Sequence, residues 1–392
     1  MKCHLIILLL LVPTVTAHGQ YLRLWGDSTR TALYLDAGRI WNYNLYEHSR
    51  WGAGLRLTTA KVLSFDGHLG YGTYDEQWKY GAAITGRFLG SRREAVYLRY
   101  LHDYFAVGSR HIDSPEADNF SLLGSFWSRR MTEQQRVTLG YRWSTAFADW
   151  AIEAVWEESG RLFDAKQLLY YNRGDAITHS GYIYSRLLMC HHLGLRLQTE
   201  LGNWGSDGPA IARLLTDYRK TFHWPVVDLH LYAQAGLTPP SADYEHMFDL
   251  GGTWDAPVYI GNNLPTIHPN EFTANSFALL RLRLQTAPPL YHVYNNLFNV
   301  GSSPRPFVGF TALWGTMWGQ DSNGLKNVEE FVLQSPYKGL LEPILGVDGI
   351  IRWGMVDCGV AVTYRLTPSS ATYHIQNRQD NFMLLISFKL AD

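Results

Sequence analysis

Apolar and polar positions alternate with a period of two over long stretches of this chain. In "LGLRLQTELG", Leu193, Leu195, Leu197 and Leu201 share one face with Thr199, while Gly194, Arg196, Gln198, Glu200 and Gly202 share the other. The same division sets Val227, Leu229, Leu231, Ala233 and Ala235 against Asp228, His230, Tyr232, Gln234 and Gly236. It returns with Val356, Cys358, Val360, Val362, Tyr364 and Leu366 against Asp357, Gly359, Ala361, Thr363 and Arg365. Alternation alone predicts sheet. Runs of about 9 to 12 residues predict more, because a strand crosses a bilayer at a tilt in about that length whereas globular strands average about 5 to 6.

Turn spacing adds an independent signal. Thr31 to Trp41 leads into the longer "NYNLYEHSR", Trp51 to Thr59 returns through the tight "TAK" to Val62 to Gly72, and a knot at Asp75-Glu76 leads into Trp78 to Leu89. "GSRRE" then precedes Ala95 to Phe105, followed by the long "AVGSRHIDSPEADN". Short and long connections alternate, as in a barrel with short periplasmic turns and long outer loops. The expectation is an all-β, transmembrane, antiparallel up-and-down β-barrel of about 16 strands, with 18 the next even solution. Its longest irregular segments, Leu237 to Asn275 and Met317 to Glu342, face outward on this phase, and the mature amino terminus faces the periplasm.

The first residues, "MKCHLIILLLLVPTVTAHGQ", read as a secretory signal peptide: Lys2, an apolar run from Leu5 to Val12, and small residues Val15 and Ala17 at cleavage spacing. This gives a signal peptide over 1–17 and a barrel over 18–392. Beyond Ala17 no apolar run approaches the roughly 20 residues of a spanning helix. Cys3 goes with the peptide, and Cys190 and Cys358 are assigned packing roles.

Composition narrows the classes further. Charged residues are 18% and aromatics 14%, with 24 Tyr and 14 Trp, which favours sheets and interfaces. A net charge of -1 supplies no clustered positive field, so nucleic acid is excluded as a partner. Outer-membrane lipid is the expected surrounding, with other outer-membrane or periplasmic proteins as partners and no cofactor. At the carboxyl end, "NFMLLISFKLAD" puts Phe382, Leu384, Ile386, Phe388 and Leu390 on one face of a terminal strand, the form of an outer-membrane insertion signal.

The hairpin "HLGYGTYDEQWKYGAAI" divides in the same way: Leu69, Tyr71, Trp78, Tyr80, Ala82 and Ile84 face lipid, while His68, Gly70, Gly72, Lys79, Gly81 and Ala83 face inward around a solvated tip. Three stretches resemble the barrels of uncharacterised Gram-negative surface proteins related to the BamA and two-partner-secretion transporter superfamily: "DAGRIW" at Asp36 to Trp41, "GYGTYDEQWKYG" at Gly70 to Gly81 and "DNFMLLISFKL" at Asp380 to Leu390. The resemblance implies a sixteen-stranded barrel in the outer membrane of a Gram-negative bacterium, acting in protein assembly or transport. Members of that superfamily usually carry periplasmic domains ahead of the barrel, for which this chain leaves no length after Ala17. Where the superfamily places an Arg-Gly-aromatic loop tip, this chain has "FDLGGTWDAPVYIG" from Phe248 to Gly261, with the glycine pair and no arginine.

Enzyme chemistry finds no support in the sequence. His191-His192 beside Cys190 could hold a metal, but adjacent strand residues point to opposite faces and no second ligand set stands at metal spacing, so a solvated turn is the better account. No nucleophile elbow announces a lipid hydrolase. Asp75-Glu76 is more often a hairpin tip than a calcium site. On the phase above, Lys79, Arg87, Arg99, Asp103, Arg142, Arg196, Glu200, Asp228, Arg281, Arg283, Asp357, Arg365 and Lys389 line the lumen. A selective channel concentrates one sign. Mixed signs favour a salt-bridged interior, with the loop around Gly251-Gly252 as candidate plug. The leading expectation is a non-enzymatic barrel of the assembly or transport type; the alternatives are a diffusion channel and, third, an outer-membrane lipid hydrolase.

Overall fold

The computed structural model describes residues 21–27, 30–36, 39–44, 47–60, 62–88, 94–106, 108, 112, 131–161, 179–202, 211–239, 246–250, 272–286, 304–318, 339–353, 356–365 and 382–390. Strands dominate these residues: β1 (Tyr21–Gly26), β2 (Thr31–Asp36), β3 (Trp41–Asn44), β4 (His48–Thr59), β5 (Leu63–Gly72), β6 (Trp78–Arg87), β7 (Ala95–Ala106), β8 (Met131–Ser144), β9 (Ala148–Arg161) and β10 (His179–His191). There follow β11 (Leu195–Gly202), β12 (Ile211–His223), β13 (Val227–Leu237), β14 (Phe248–Leu250), β15 (Phe272–Ala274), β16 (Ser276–Thr286), β17 (Pro304–Trp318), β18 (Gly339–Trp353), β19 (Val356–Arg365) and β20 (Phe382–Leu390). β14 and β15 pair as a small separate sheet; the other 18 belong to one sheet. No helix among the described residues is long and apolar enough to cross a membrane.

The chain divides into two compact units, the first holding β1 to β10 and the second β13 to β20, with β11 and β12 shared between them. In the first, β4 to β10 pair antiparallel in sequence order. β2 and β3 lie end to end on one edge of β4, at Leu33↔Leu57 and Trp41↔Trp51, so they are two pieces of one strand position. Ile40 accepts a hydrogen bond from the Gly52 N–H at 3.0 Å between the two pieces. A Cβ at Gly54 would sit 2.9 Å from the Asp36 Cβ and 3.0 Å from the Arg39 Cγ, so glycine makes room where the chain crosses from β2 to β3.

Short turns collect at one end of this unit: 60–62, 88–94 and 145–147. In the last, Thr145 N–H donates to the Ala148 carbonyl at 2.8 Å and the Thr145 hydroxyl accepts from the Ala148 N–H at 3.1 Å. The long 107–130 and 162–178 connections leave from the other end. One expected long connection is absent: "NYNLYEHSR" is mostly strand, because β3 and β4 extend through it to a reversal at 45–47. The structure also adds a strand that the sequence reading lacked, β1, which runs toward the short-turn end and pairs back on β2.

In the second unit β12, β13, β16, β17, β18, β19 and β20 pair antiparallel in turn. The segment 238–275 carries β14 and β15 at its base, where Phe248 is fully buried and meets Phe277 at a ring distance of 5.0 Å and Arg213 at 4.6 Å. A Cβ on Gly236 would lie 2.8 Å from the Phe248 ring, so the segment's base packs on the face of β13 that carries Asp228, Tyr232 and Gln234.

Burial follows the period-two pattern. On β6, Trp78, Tyr80 and Ile84 are exposed while Lys79, Gly81 and Thr85 are buried. Small residues on the buried face are spaces filled by neighbours: the Tyr97 ring on β7 covers Gly140 on β8, its directly opposed neighbour. Gly140→Val would drive that ring off its seat and is expected to cost about 1–3 kcal/mol, readable as a lower denaturant midpoint in lipid vesicles, with Gly86→Val, where nothing lies within 4 Å of an added Cβ, as the near-neutral control.

Candidate functional site

The buried face of the first unit is a sheet of side-chain rows in which charges meet across strands. Tyr97, Gly140, Glu153 and Arg186 stand opposite one another in sequence along β7, β8, β9 and β10. Because Gly140 contributes no side chain, the Tyr97 hydroxyl reaches across it to donate to Glu153 Oε1 at 2.5 Å, and Arg186 Nε donates to Glu153 Oε2 at 2.5 Å. Four residues further along β9, Glu157 accepts from Gln134 Nε2 at 2.9 Å, from Arg136 Nη2 at 2.9 Å and from the Tyr184 hydroxyl at 2.9 Å. Both carboxylates are essentially out of water, so these partners supply the charge and hydrogen bonds that water would otherwise supply.

A second network occupies the long-loop end. Arg50 is clamped between Glu47, which is fully buried, and Asp103, with Nη1 to Asp103 Oδ2 at 2.9 Å and Nε to Glu47 Oε2 at 2.5 Å. Lys79 Nζ donates to Asp75 Oδ2 at 2.8 Å, lies 3.9 Å from the Tyr104 ring centre, and the Tyr104 hydroxyl donates to the same Asp75 oxygen at 2.7 Å. Of the pair at the hairpin tip, therefore, only Glu76 behaves as a solvated turn residue, exposed with φ 56. Asp75 turns inward and becomes part of the wall.

The predicted inward residues distribute as follows. Lys79, Asp103, Glu200, Asp228 and Arg283 are buried; Arg87, Arg99, Arg142, Arg196 and Arg281 are half-buried. Arg196 Nε pairs with Asp217 at 2.8 Å on β12, Gln198 Nε2 donates to Glu200 at 2.7 Å, and Asp228 meets His223 Nδ1 at 2.9 Å. Arg99 stacks 4.4 Å from the Tyr97 ring and Arg281 5.2 Å from the Tyr232 ring. Lys79 and Asp103 join the second network above. Gly251 and Gly252, and the side chains of Asp357, Arg365, Lys389, Phe382, Leu384, Ile386, Phe388 and Leu390, lie outside the described residues. The sequence reading missed Arg50, Glu47, Tyr97, Arg136, Glu153, Glu157 and Arg186, although Ala151-Glu153-Val155-Glu157-Ser159 alternates as cleanly as any predicted strand.

His191-His192 form no convergent site: the His191 ring lies 6.0 Å from Phe147 and His192 Nε2 lies 3.6 Å from Asp149. Among the described residues no group of three His, Cys, Asp or Glu could hold a metal ion.

The opposite face is apolar and ordered by height. At the long-loop end Tyr71 meets Trp78 at 5.0 Å and Tyr80 meets Tyr100 at 5.9 Å. At the short-turn end Phe88, Tyr141, Trp143 and Trp150 form a chain with ring distances of 6.3, 5.5 and 6.0 Å. Between them Leu55, Phe65, Ile84, Leu98, Leu139 and Ile152 are exposed. An aliphatic band between two aromatic sets is the surface expected against a bilayer and its two headgroup layers.

Comparison with known proteins bears on this wall. No family model matches the chain, and no curated protein matches it. Among solved structures, BamA from Haemophilus ducreyi, in a form lacking POTRA domains 1–3, superposes with a TM-score of 0.57 at 9% identity over 92% of this chain and 70% of that chain. The fold is that of the BamA barrel. CdiB from Escherichia coli matches at a TM-score of 0.49 with 12% identity, over 96% of this chain and 68% of that one. CdiB from Acinetobacter baumannii matches at 0.45 with 10% identity, over 92% and 57%. At such identities the BamA likeness speaks for architecture and leaves the chemistry of this wall to its own residues.

Arg50 binds two carboxylates of the wall at once, Glu47 and Asp103. Arg50→Met would leave Glu47 and Asp103 buried against each other and is expected to destabilise the BamA-type fold by about 3–5 kcal/mol, while Arg50→Lys recovers part of the loss. The heat at which the folded band disappears in semi-native electrophoresis checks this.

Proposed function

We propose that this chain is an integral outer-membrane β-barrel that works in the assembly or transport of other proteins at the cell surface and performs no catalysis of its own. The observation that carries the reading is the BamA superposition over nearly the whole chain. Three features support it. Residues 1–17 have the form of a secretory signal, the exposed face of the first unit has an aliphatic band between aromatic sets, and β20 is an apolar-alternating sequence paired with β19. On this reading lipid contacts the aliphatic band and the charged rows, from Lys79 and Asp103 through Arg196, Glu200 and Asp228 to Arg283, line the interior, with Phe248 packed against Phe277 on it.

The first unit's paired charges count against the diffusion channel. A conducting lumen needs a field of one sign that an ion can reach, and here Glu153, Glu157, Asp75 and Asp103 are each bound to Arg or Lys or Tyr. Deleting the gene in its host is expected to deplete one or a few proteins from the outer-membrane proteome, while purified protein in planar bilayers shows no steady single-channel conductance. An unchanged proteome together with a stable conductance would sink the proposal and install the channel.

The bilayer placement has its own test. Leu139 is 54% exposed between Leu98 and Ala154 in the middle of the aliphatic band. Leu139→Arg is expected to cost about 2–4 kcal/mol and to reduce the folded fraction in outer-membrane extracts, whereas Thr138→Arg, on the buried face, would act through packing and be insensitive to bilayer thickness.

A further inference from the structure

The face of β12, β13 and β16 that carries Asp228 and Tyr232 distributes its charge unlike the wall of the first unit. Register lays this face out in rows: Arg219↔Tyr232↔Arg281, then Thr221↔His230↔Arg283 two residues nearer the 224–226 turn, then His223↔Asp228↔Gln285. The buried Tyr232 ring lies 5.0 Å from the Arg219 guanidinium and 5.2 Å from that of Arg281, so one phenol holds a cation from each flanking strand. An aromatic ring attracts a guanidinium without cancelling its charge. In the next row Arg283 is itself buried.

Among the described residues of these three strands, two carboxylates border the rows, and both have partners elsewhere. Asp217 accepts from Arg196 Nε at 2.8 Å and lies 3.8 Å from Arg219, while Asp228 meets His223 Nδ1 at 2.9 Å. The first unit has the opposite balance at Arg50, where one cation takes two carboxylates. A single polar atom marks what the arginine rows would accept. His230 Nδ1 lies 3.0 Å from the Thr221 hydroxyl, but the buried Nε2 of the same ring has no hydrogen-bond partner. With the Thr221 hydroxyl donating to Nδ1, Nε2 carries the ring proton and its desolvation is uncompensated. A negatively charged acceptor over the middle strand would satisfy that N–H in a field set by three guanidiniums.

Geometry selects among acceptors. A lone carboxylate offers two oxygens in one plane, which a single guanidinium fork satisfies. Donors arriving from two strands on either side and from two rows suit a tetrahedral group, whose oxygens point in several directions. Arg219 and Arg281 stand about 10 Å apart at the backbone, two strand spacings, within side-chain reach of one point over β13. We propose that this face binds a phosphate-type oxyanion, held by Arg219, Arg281 and Arg283 with the His230 Nε2–H as neutral donor. The site stands on the residues of these three strands and not on the assembly reading, so binding alone decides it, whatever the gene deletion does to the outer-membrane proteome.

Isothermal titration calorimetry of the full-length protein in a maltoside detergent, which carries no phosphate, tests the site. The probes are inorganic phosphate and glycerophosphoglycerol, a deacylated lipid headgroup. Wild-type protein is expected to bind at least one of them, and to bind sodium acetate at least about 10-fold more weakly at equal ionic strength. Arg219→Gln and Arg281→Gln are each expected to weaken phosphate binding by at least about 10-fold, and His230→Phe to weaken it less. Arg99→Gln, which removes a cation lying against Tyr97 in the first unit, leaves binding unchanged. If Arg281→Gln loses the folded band in semi-native electrophoresis, Arg219→Gln decides alone, since the Arg219 side chain is 47% exposed. Tighter binding of inorganic phosphate assigns the site to the free anion, and tighter binding of the phosphodiester assigns it to a lipid headgroup; both uphold it. Binding of neither probe, equal binding of acetate, or wild-type affinity in Arg219→Gln overturns it.

Discussion

The carboxylate of Glu153 states the constraint on which the first unit depends. It sits on a wall with almost no access to water, and it is tolerated because a phenol arrives from two strands away on one side and a guanidinium from the next strand on the other. An ionised group moved out of water loses several kcal/mol unless its partners replace the hydration it gave up. The strand register is what delivers those partners: slipping β8 by one residue would point Gly140 outward and place a side chain under the Tyr97 ring. Glu157 and Arg50 repeat the logic, so the polar face specifies register as firmly as the apolar face does.

This accounts for the glycines on the buried face. A wall that carries long charged and aromatic side chains needs gaps for them, and the gaps lie beside the longest ones: Gly140 under Tyr97, Gly70 under Arg50, Gly81 beside His68 and Gly236 under Phe248. The exposed face has the reverse economy. It carries large apolar residues such as Phe65, Leu69, Ile84 and Leu139 without charged partners, and the small residues among them, Gly67 and Ala82, are not seats for a neighbouring ring or guanidinium.

Much of this was legible in the amino acids, because period two survives translation into burial. The hairpin around Asp75 divides by face as its alternation predicts, with Leu69, Trp78, Tyr80 and Ile84 exposed and Gly70, Lys79 and Gly81 buried. What was not legible depends on pairs between strands. Asp75 looks like a solvated tip until β7 brings Tyr104 beside it, and Glu47 looks like a loop residue until β3 and β4 extend through "NYNLYEHSR" and bury it against Arg50. Glu153 and Glu157 do alternate with Ile152, Ala154 and Trp156, but a strand with two carboxylates suggests a membrane face only when Tyr97, Arg136 and Arg186 are known to neutralise them. β1 was unreadable for another reason: six residues ending in a glycine turn carry too few alternations to distinguish a strand from the tail of a leader sequence.

The edge strand brings the two halves of the physics together. Inside a bilayer an unpaired row of backbone groups is as costly as an unpaired charge on the wall, which is why spanning sheets close on themselves. The strand position beside β4 is split into β2 and β3, with Gly52 and Gly54 leaving room on β4 and Arg39 lying 3.8 Å from Asp36, so the edge it presents is short and interrupted. β1 satisfies part of that edge at small cost, since it buries little and is anchored chiefly by Tyr21 on Arg56. The strands behind it are fixed by buried ion pairs that cannot be broken without stranding a charge.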